Sequence, residues 1–214
     1  GIVLYRGPSQ IDGKPVIAIA TGITDKSENS KTGDMVQVWI IRRDIAPILA
    51  KRIGDDKGIC GDCKHRDFGT CYVNLGHGPN QGYNCFHRDN YVDYTPDMIK
   101  YFKDKVLRIG AYGDPVAVPV DIWNMLTPFV KAFTSYTHQW RICNPKYKKF
   151  CMASIETEKE YDKAQEMGWR TFRVRLEDEP IFENEIICPA SEEGGKKTTC
   201  TNCRLCNGSG DKKS

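Results

Sequence analysis

Residues 106–136 read VLRIGAYGDPVAVPVDIWNMLTPFVKAFTSY. The stretch opens on a short apolar run, 106–111, which Tyr112-Gly113-Asp114-Pro115 breaks as a turn. Residues 120–131 then place apolar side chains at helical spacing, and 132–136 form a second short run. Strand, helix and strand over this span make a βαβ unit, whose strands pair in parallel through a right-handed crossover.

The pattern continues on both sides. Downstream, 150–155 reads as a strand, 158–167 as a helix stopped by Gly168, 171–174 as a strand, and 185–188 as a last strand. Upstream, Thr95-Pro96-Asp97 starts a helix over 95–105. Nearer the N-terminus, 16–23 is an apolar strand between Pro15 and Gly22, and 25–34 is a polar turn. Residues 35–41 are its paired strand and 45–53 a short helix. Residues 54–90 are rich in Gly, Cys and His and show no period. A closed barrel of eight such units takes about 250 residues, and the chain has 214. The expected fold class is therefore α/β: a partial (β/α) barrel or open parallel layer with an N-terminal β-hairpin and cysteine-rich metal-binding loops. Its segments are a hairpin and short helix (1–53), a Cys/His-rich loop (54–90), an α/β core (91–187) and a C-terminal four-cysteine metal motif with a tail (188–214).

Hydrophobic residues at 40% and charged residues at 28% fit a globular chain and exclude wholesale disorder. No apolar run approaches the roughly 18 residues of a membrane span, and 1–7 lack the basic-then-apolar order of a secretory signal. The expectation is no membrane partner and a cytoplasmic location, the host cytoplasm if the protein is viral. A net charge of +3 does not by itself mark a nucleic-acid binder.

Ten cysteines are the strong deviation. Disulfide frameworks belong mostly to small secreted domains. Here the thiols fall into two tight groups whose two-residue gaps suit a shared metal better than a bridge. Cys188, Cys200, Cys203 and Cys206 supply four thiolates, enough for a closed tetrahedral zinc site or an iron–sulfur cluster. Cys60, Cys63 and Cys71, with His65 or Cys85 as a fourth ligand, form a second zinc site or a three-cysteine cluster with an open iron. Cys143 and Cys151 stand apart and read as buried fillers.

In α/β folds the chemistry lies beyond the carboxyl ends of the strands. Those positions carry Asp114, His138 and Glu156, an acid, a base and a second acid for nucleophilic or proton-transfer work. Consecutive units would bring the three, together with the C-terminal cysteines, to one pocket. Lys146 and Lys148 beside Tyr147, with Trp140, Arg173 and Arg175, could contact phosphates and stack bases.

From Cys60 to Val174 the pattern resembles a distant relative of the radical S-adenosylmethionine barrel, and more closely phage-encoded barrel proteins of unknown function that share that fold. The resemblance rests on a cysteine-rich loop ending in Cys71-Tyr72, and on Gly113-Asp114-Pro115 after a strand. Strand ends at Ser135-Tyr136-Thr137 and Ala153-Ser154-Ile155-Glu156 complete it. The cysteine spacing is Cys-x2-Cys-x7-Cys, where the family has Cys-x3-Cys-x2-Cys. A second similarity is to tRNA-guanine transglycosylase-type barrels, which carry a zinc site near the end of the barrel and use aspartates for base exchange. These resemblances imply a metal-dependent enzyme, zinc or iron–sulfur, of transferase or radical type. It would act on DNA, RNA or a nucleobase and be encoded by a phage or mobile element. The contrasting reading is a non-catalytic, zinc-stabilised module that binds nucleic acid or protein through its basic loops.

Overall fold

The computed structural model describes residues 1–25 and 29–209. Part of the polar turn expected at 25–34, and the tail 210–214, lie outside the described residues.

The chain begins with β1 (Ile2–Pro8), β2 (Pro15–Thr21) and β3 (Val36–Arg42). In β2 every residue from Val16 to Ala20 is fully buried, so its apolar run faces cover on both sides, as in a central strand. β2 and β3 are the expected antiparallel hairpin. β1 is an addition to the expected elements: Arg6, Gly7 and Pro8 blur its pattern, yet Ile2, Val3 and Leu4 are buried and its backbone pairs with β2.

The connection from β3 to the next long strand holds α1 (Pro47–Ile53), α2 (Lys57–Cys60), α3 (Lys64–Asp67) and α4 (Gly78–His87). Thus 54–90 is not aperiodic loop throughout. Two of its helices are single turns, too short to leave a hydrophobic period in the sequence. A two-residue strand, β4 (Val92–Asp93), follows, and then a 3-10 helix over Pro96–Tyr101 where a longer helix over 95–105 was expected.

The α/β series comprises β5 (Val106–Tyr112), α5 (Val120–Leu126), β6 (Ala132–Thr137), β7 (Met152–Ile155), α6 (Glu158–Glu166) and β8 (Thr171–Arg173). α5 stops at Leu126 rather than near 131, and Pro128 sits in the 3-10 turn Thr127–Phe129 that follows it. α6 starts on a capping box, with Glu160 N donating to Thr157 Oγ1 at 3.3 Å and Thr157 N donating to Glu160 Oε2 at 3.4 Å. The strand expected at 185–188 is not formed; after β8 the next regular element is α7 (Cys200–Cys203).

The eight strands among the described residues join one sheet in the order β4-β1-β2-β3-β5-β6-β7-β8. Only β1–β2 and β2–β3 are antiparallel; β1–β4 and the run from β3 through β8 are parallel. The fold is therefore the open, mostly parallel layer, with β4 and β8 as free edges, and not a closed barrel. The hairpin and the α/β strands are parts of the same sheet.

The two faces of the parallel half differ. Leu107, Ile109, Ala153 and Ile155 point to one side and belong to a single apolar cluster with Trp123, Leu126, Phe150 and Ala164. Side chains alternate along a strand, so register places Gln37, Arg108, Thr134, Tyr136, Ser154 and Phe172 on the other side. That second face is rich in polar groups, and both cysteine groups lie over it or at its end.

Candidate functional site

A cavity of about 130 Å³ opens beyond the carboxyl ends of β5 and β6. Its wall carries Cys60, Cys63, Cys71, His65, His138 and Asp114. Two glycines set the turns around it, Gly113 on its wall and Gly61 beside the cysteine loop. Gly113 turns the chain out of β5 at φ 81°, where a Cβ would collide with the Ile40 carbonyl oxygen. Gly61 ends α2 at φ 56°, where a Cβ would run into the Gln139 side chain. Gln139 Nε2 donates to the Cys60 carbonyl at 3.3 Å, fixing the cysteine loop to the end of β6.

Asp114 is 5% exposed. Its carboxylate accepts from Thr137 Oγ1 at 2.8 Å, from the His138 amide at 2.8 Å and from the Val116 amide at 3.0 Å. Its own amide donates to the Ile59 carbonyl at 2.6 Å. Burial lifts its pKa to about 6 against the opposing pull of these hydrogen bonds. Asp114 therefore ties three segments together: the ends of β5 and β6, and α2. Burial, with His65 and Lys64 nearby, takes His138 down to about 4, so its imidazole is neutral at pH 7.

The His65 and His138 rings meet edge to face with centroids 5.8 Å apart. His65 Nδ1 lies 2.9 Å from Thr70 Oγ1. Its Nε2 is buried, has no hydrogen-bond partner among the described residues, and stands 3.8 Å from Glu156 Oε1. Glu156, at the end of β7, is beside the cavity and accepts from Lys64 Nζ at 2.5 Å. Lys64 also reaches Glu160 at 2.8 Å, as does Arg141 at 2.6 Å. Asp114, His138 and Glu156 thus stand at adjacent strand ends, with Asp114 and His138 on the cavity wall and Glu156 on its flank.

Cys85 is not part of this group. It lies on α4 near Tyr91, whose pKa is pushed up to about 12 by burial and by the Cys85 thiol. The α4 helix carries Cys85 toward Tyr91, while the loop with Cys71 runs along the cavity at the end of β5, so Cys85 is absent from that wall.

Cys188, Cys200, Cys203 and Cys206 line a second cavity of about 40 Å³. The C-terminal segment crosses the polar face of the sheet. There the Ser135 amide donates to the Cys206 carbonyl at 2.9 Å, and the Cys200 amide donates to the Lys31 carbonyl at 3.0 Å. The expectation that these cysteines share a pocket with the strand-end acids is corrected: without a strand at 185–188, the chain leaves the βα series and returns over β6. Among the described residues, Tyr136 is the one residue on both cavity walls.

All ten cysteines are free thiols. Burial raises the pKa of Cys60 and Cys63 in the first cavity, and of Cys200 and Cys206, the last to about 11, in the second. Among the described residues, no three His, Cys, Asp or Glu side chains are arranged to hold a metal ion. Cys143 and Cys151 fit the filler reading in position: Cys151 is fully buried, with its sulfur 3.2 Å from Ser135 Oγ, and Cys143 is half-buried.

The residues expected to meet nucleic acid are mostly turned inward. Trp140 is 1% exposed and donates to the Ser154 carbonyl at 3.0 Å; Tyr147 is 4% exposed and donates to the Val118 carbonyl at 2.6 Å. Neither has a free face for a base. Arg173 is clamped between Glu185 at 2.8 Å and Glu179 at 3.1 Å, over the Phe182 ring. Arg175 pairs with Glu193 and donates to the Glu179 carbonyl at 2.9 Å. The two arginines hold the 176–193 segment, whose acidic residues neutralise them. Lys148 bonds the Met167 carbonyl, and Lys146 is exposed.

Sequence patterning misses two tyrosines on the first wall, Tyr112 and Tyr136, because strand aromatics carry no spacing signal for a site. No helix among the described residues is long and apolar enough to cross a membrane. No family model, curated protein or solved structure matches the chain.

Proposed function

We propose that the protein is a metal-dependent enzyme whose metal, zinc or an iron–sulfur cluster, is held at the strand-end cavity, and whose substrate is a nucleobase, free or within a nucleic acid. One observation carries the reading: three thiols and two imidazoles line one cavity at the carboxyl ends of adjacent parallel strands. The donor set fits. Thiolate and imidazole are the ligands that zinc and iron take, and the buried His65 Nε2 has no hydrogen-bond partner among the described residues. Cys60, Cys63, Cys71 and His65 would hold the metal, which would supply Lewis acidity as zinc or electron transfer as a cluster. His138 presents its imidazole to the same cavity. Asp114 holds the His138 backbone through its amide and acts as a positioning residue. The inward pairing of Arg173 and Arg175 favours a small substrate over an extended nucleic-acid track.

We assign Cys188, Cys200, Cys203 and Cys206 to a second metal, structural zinc or an auxiliary cluster, that pins the C-terminal segment to β6. Thiols spaced for metal support a reducing, cytoplasmic compartment. The contrasting reading, a zinc-stabilised binding module, gains from the complete engagement of the Asp114 carboxylate.

Elemental analysis and a visible spectrum of protein purified without oxygen test the proposal. Serine at Cys63 should remove one metal equivalent and leave the second; serine at Cys203 should do the converse. Two metal equivalents that survive Cys63→Ser would overturn the strand-end assignment. Asp114→Asn that keeps its metals and full turnover would remove Asp114 from the catalytic machinery, and metal-loaded wild type without turnover would favour the binding module.

A further inference from the structure

We propose that the substrate of the strand-end cavity is a nucleotide, its base stacked on Tyr72 at the open side and its phosphate held by Arg108. The inference rests on the nucleobase reading above and adds the phosphate.

Tyr72 follows Cys71 on the cavity wall and is 78% exposed, the most of any large apolar side chain among the described residues. A ring left in water forgoes the burial that aromatic side chains normally gain. It is nevertheless tethered. Arg108 Nη2 donates to its hydroxyl, and the guanidinium carbon stands 5.6 Å from the ring centroid. A tethered ring with open faces is a preorganised platform, because little side-chain freedom is left to lose when a flat guest lies on it.

Arg108 stands on β5, partly buried, on the polar face of the sheet. Arg42, Arg66, Arg141, Arg173 and Arg175 each pair with a carboxylate. Arg108 pairs with none among the described residues, and the Tyr72 hydroxyl takes one of its five N–H donors. The rest of its planar fork matches a phosphate. Lys31, exposed, adds a second positive charge on this side, since both cations act on the Cys200 thiol. In a nucleotide one sugar separates base from phosphate, so a base lying on Tyr72 delivers its phosphate to the guanidinium beside it. The same unit can arrive as a free nucleotide or within a strand.

The test is equilibrium binding by calorimetry and saturation-transfer NMR, at low salt, on the metal-replete full chain. The probes are uridine, uridine monophosphate, inorganic phosphate and a short oligothymidylate. Wild type should hold the monophosphate about tenfold more tightly than uridine, through one charge-assisted contact. Arg108→Gln should erase that preference and flatten the salt dependence of binding. Tyr72→Ala should weaken nucleoside and nucleotide alike by about fivefold or more, whereas Tyr72→Phe, which keeps the ring, should hold uridine as wild type does. Monophosphate binding with these losses supports a free nucleotide; binding of the oligothymidylate alone, with the same losses, supports a nucleotide within a strand. No binding of either overturns the proposal, as do equal affinities for nucleoside and monophosphate, inorganic phosphate bound as tightly as the monophosphate, or variants that bind like wild type. Arg108→Gln that keeps the preference but loses the C-terminal metal also overturns it, making the guanidinium a counter-charge for those thiolates. Metal content measured on the same samples separates the two readings. Full metal without nucleotide binding overturns this inference alone; nucleotide binding with no metal at Cys60, Cys63 and Cys71 overturns the metal-enzyme reading alone.

Discussion

The Thr137 hydroxyl lies within hydrogen-bond reach of both carboxylate oxygens of Asp114, at 2.8 and 3.0 Å, and both residues are buried. This one contact joins the ends of two adjacent parallel strands beneath the cavity floor. Thr137→Val keeps shape and removes the donor, leaving the carboxylate two backbone amides. The expected loss is about 1–3 kcal/mol, read from the midpoint of a urea titration. If Thr137→Val were as stable as wild type, the carboxylate would have other support and Asp114 would regain its place as a free catalytic acid.

Arg173 is 5% exposed on its side chain and held by Glu185 and Glu179. Glu185 is held close while Glu179 is 40% exposed and partly screened, so Arg173→Ala should destabilise by about 1–3 kcal/mol, while Lys146→Ala, on the exposed surface, should change stability by less than about 0.5 kcal/mol. Thermal or denaturant melts of the two variants distinguish a clamp from a phosphate-contacting surface. Equal, small effects would return Arg173 to the latter role.

Glu160 sets an acid limb. Burial would raise its pKa, but Lys64, the Glu156 amide and Arg141 outweigh it and hold the carboxyl down at about 2, from an ordinary 4.5. A folded value below the unfolded one means that the group stabilises the fold above pH 4.5. That contribution drains away as pH falls from 4.5 toward 2. Wild-type stability should therefore decline across this window, and Glu160→Gln should start lower and decline less. Parallel curves for the two proteins would remove Glu160 from the acid response.

Metal at the C-terminal set should shield its thiols. On chelation, Cys188, Cys200, Cys203 and Cys206 should become alkylated together while Cys151, fully buried, stays unreacted, and the melting temperature should fall. Mass spectrometry of alkylated peptides reads this directly. Unchanged labelling with and without chelator would mean that the four thiols carry no metal.

Much of the local structure was legible because it depends on neighbours in sequence. The apolar run in β2 and the Gly168 stop after α6 each announce an element within a few residues. So does the Gly113-Asp114-Pro115 turn. Asp114, His138 and Glu156 were found by the rule that strands end where chemistry begins, and they do stand at three consecutive strand ends. Single-turn helices such as α2 and α3 leave no period to detect. A two-residue strand such as β4 exists only because β1 is there to pair with it. Trp140 and Tyr147 read as stacking surfaces until burial is known, since an aromatic beside a cation looks the same in sequence whether it faces solvent or core.

The chain's own order of residues determined an α/β layer with a leading hairpin, two separate cysteine groups and three polar strand ends. Each of these follows from local spacing, hydrophobic alternation or turn chemistry. Only the tertiary structure decided that the sheet stays open and that the cysteine groups sit in two cavities sharing the Tyr136 wall. The same holds for Cys85 beside Tyr91, for the arginines turned to Glu179, Glu185 and Glu193, and for the unpartnered Tyr112 hydroxyl. Those facts depend on which distant segments meet across a sheet face. Contacts between residues far apart in the chain are fixed by the packing of the whole, not by the spacing of any part.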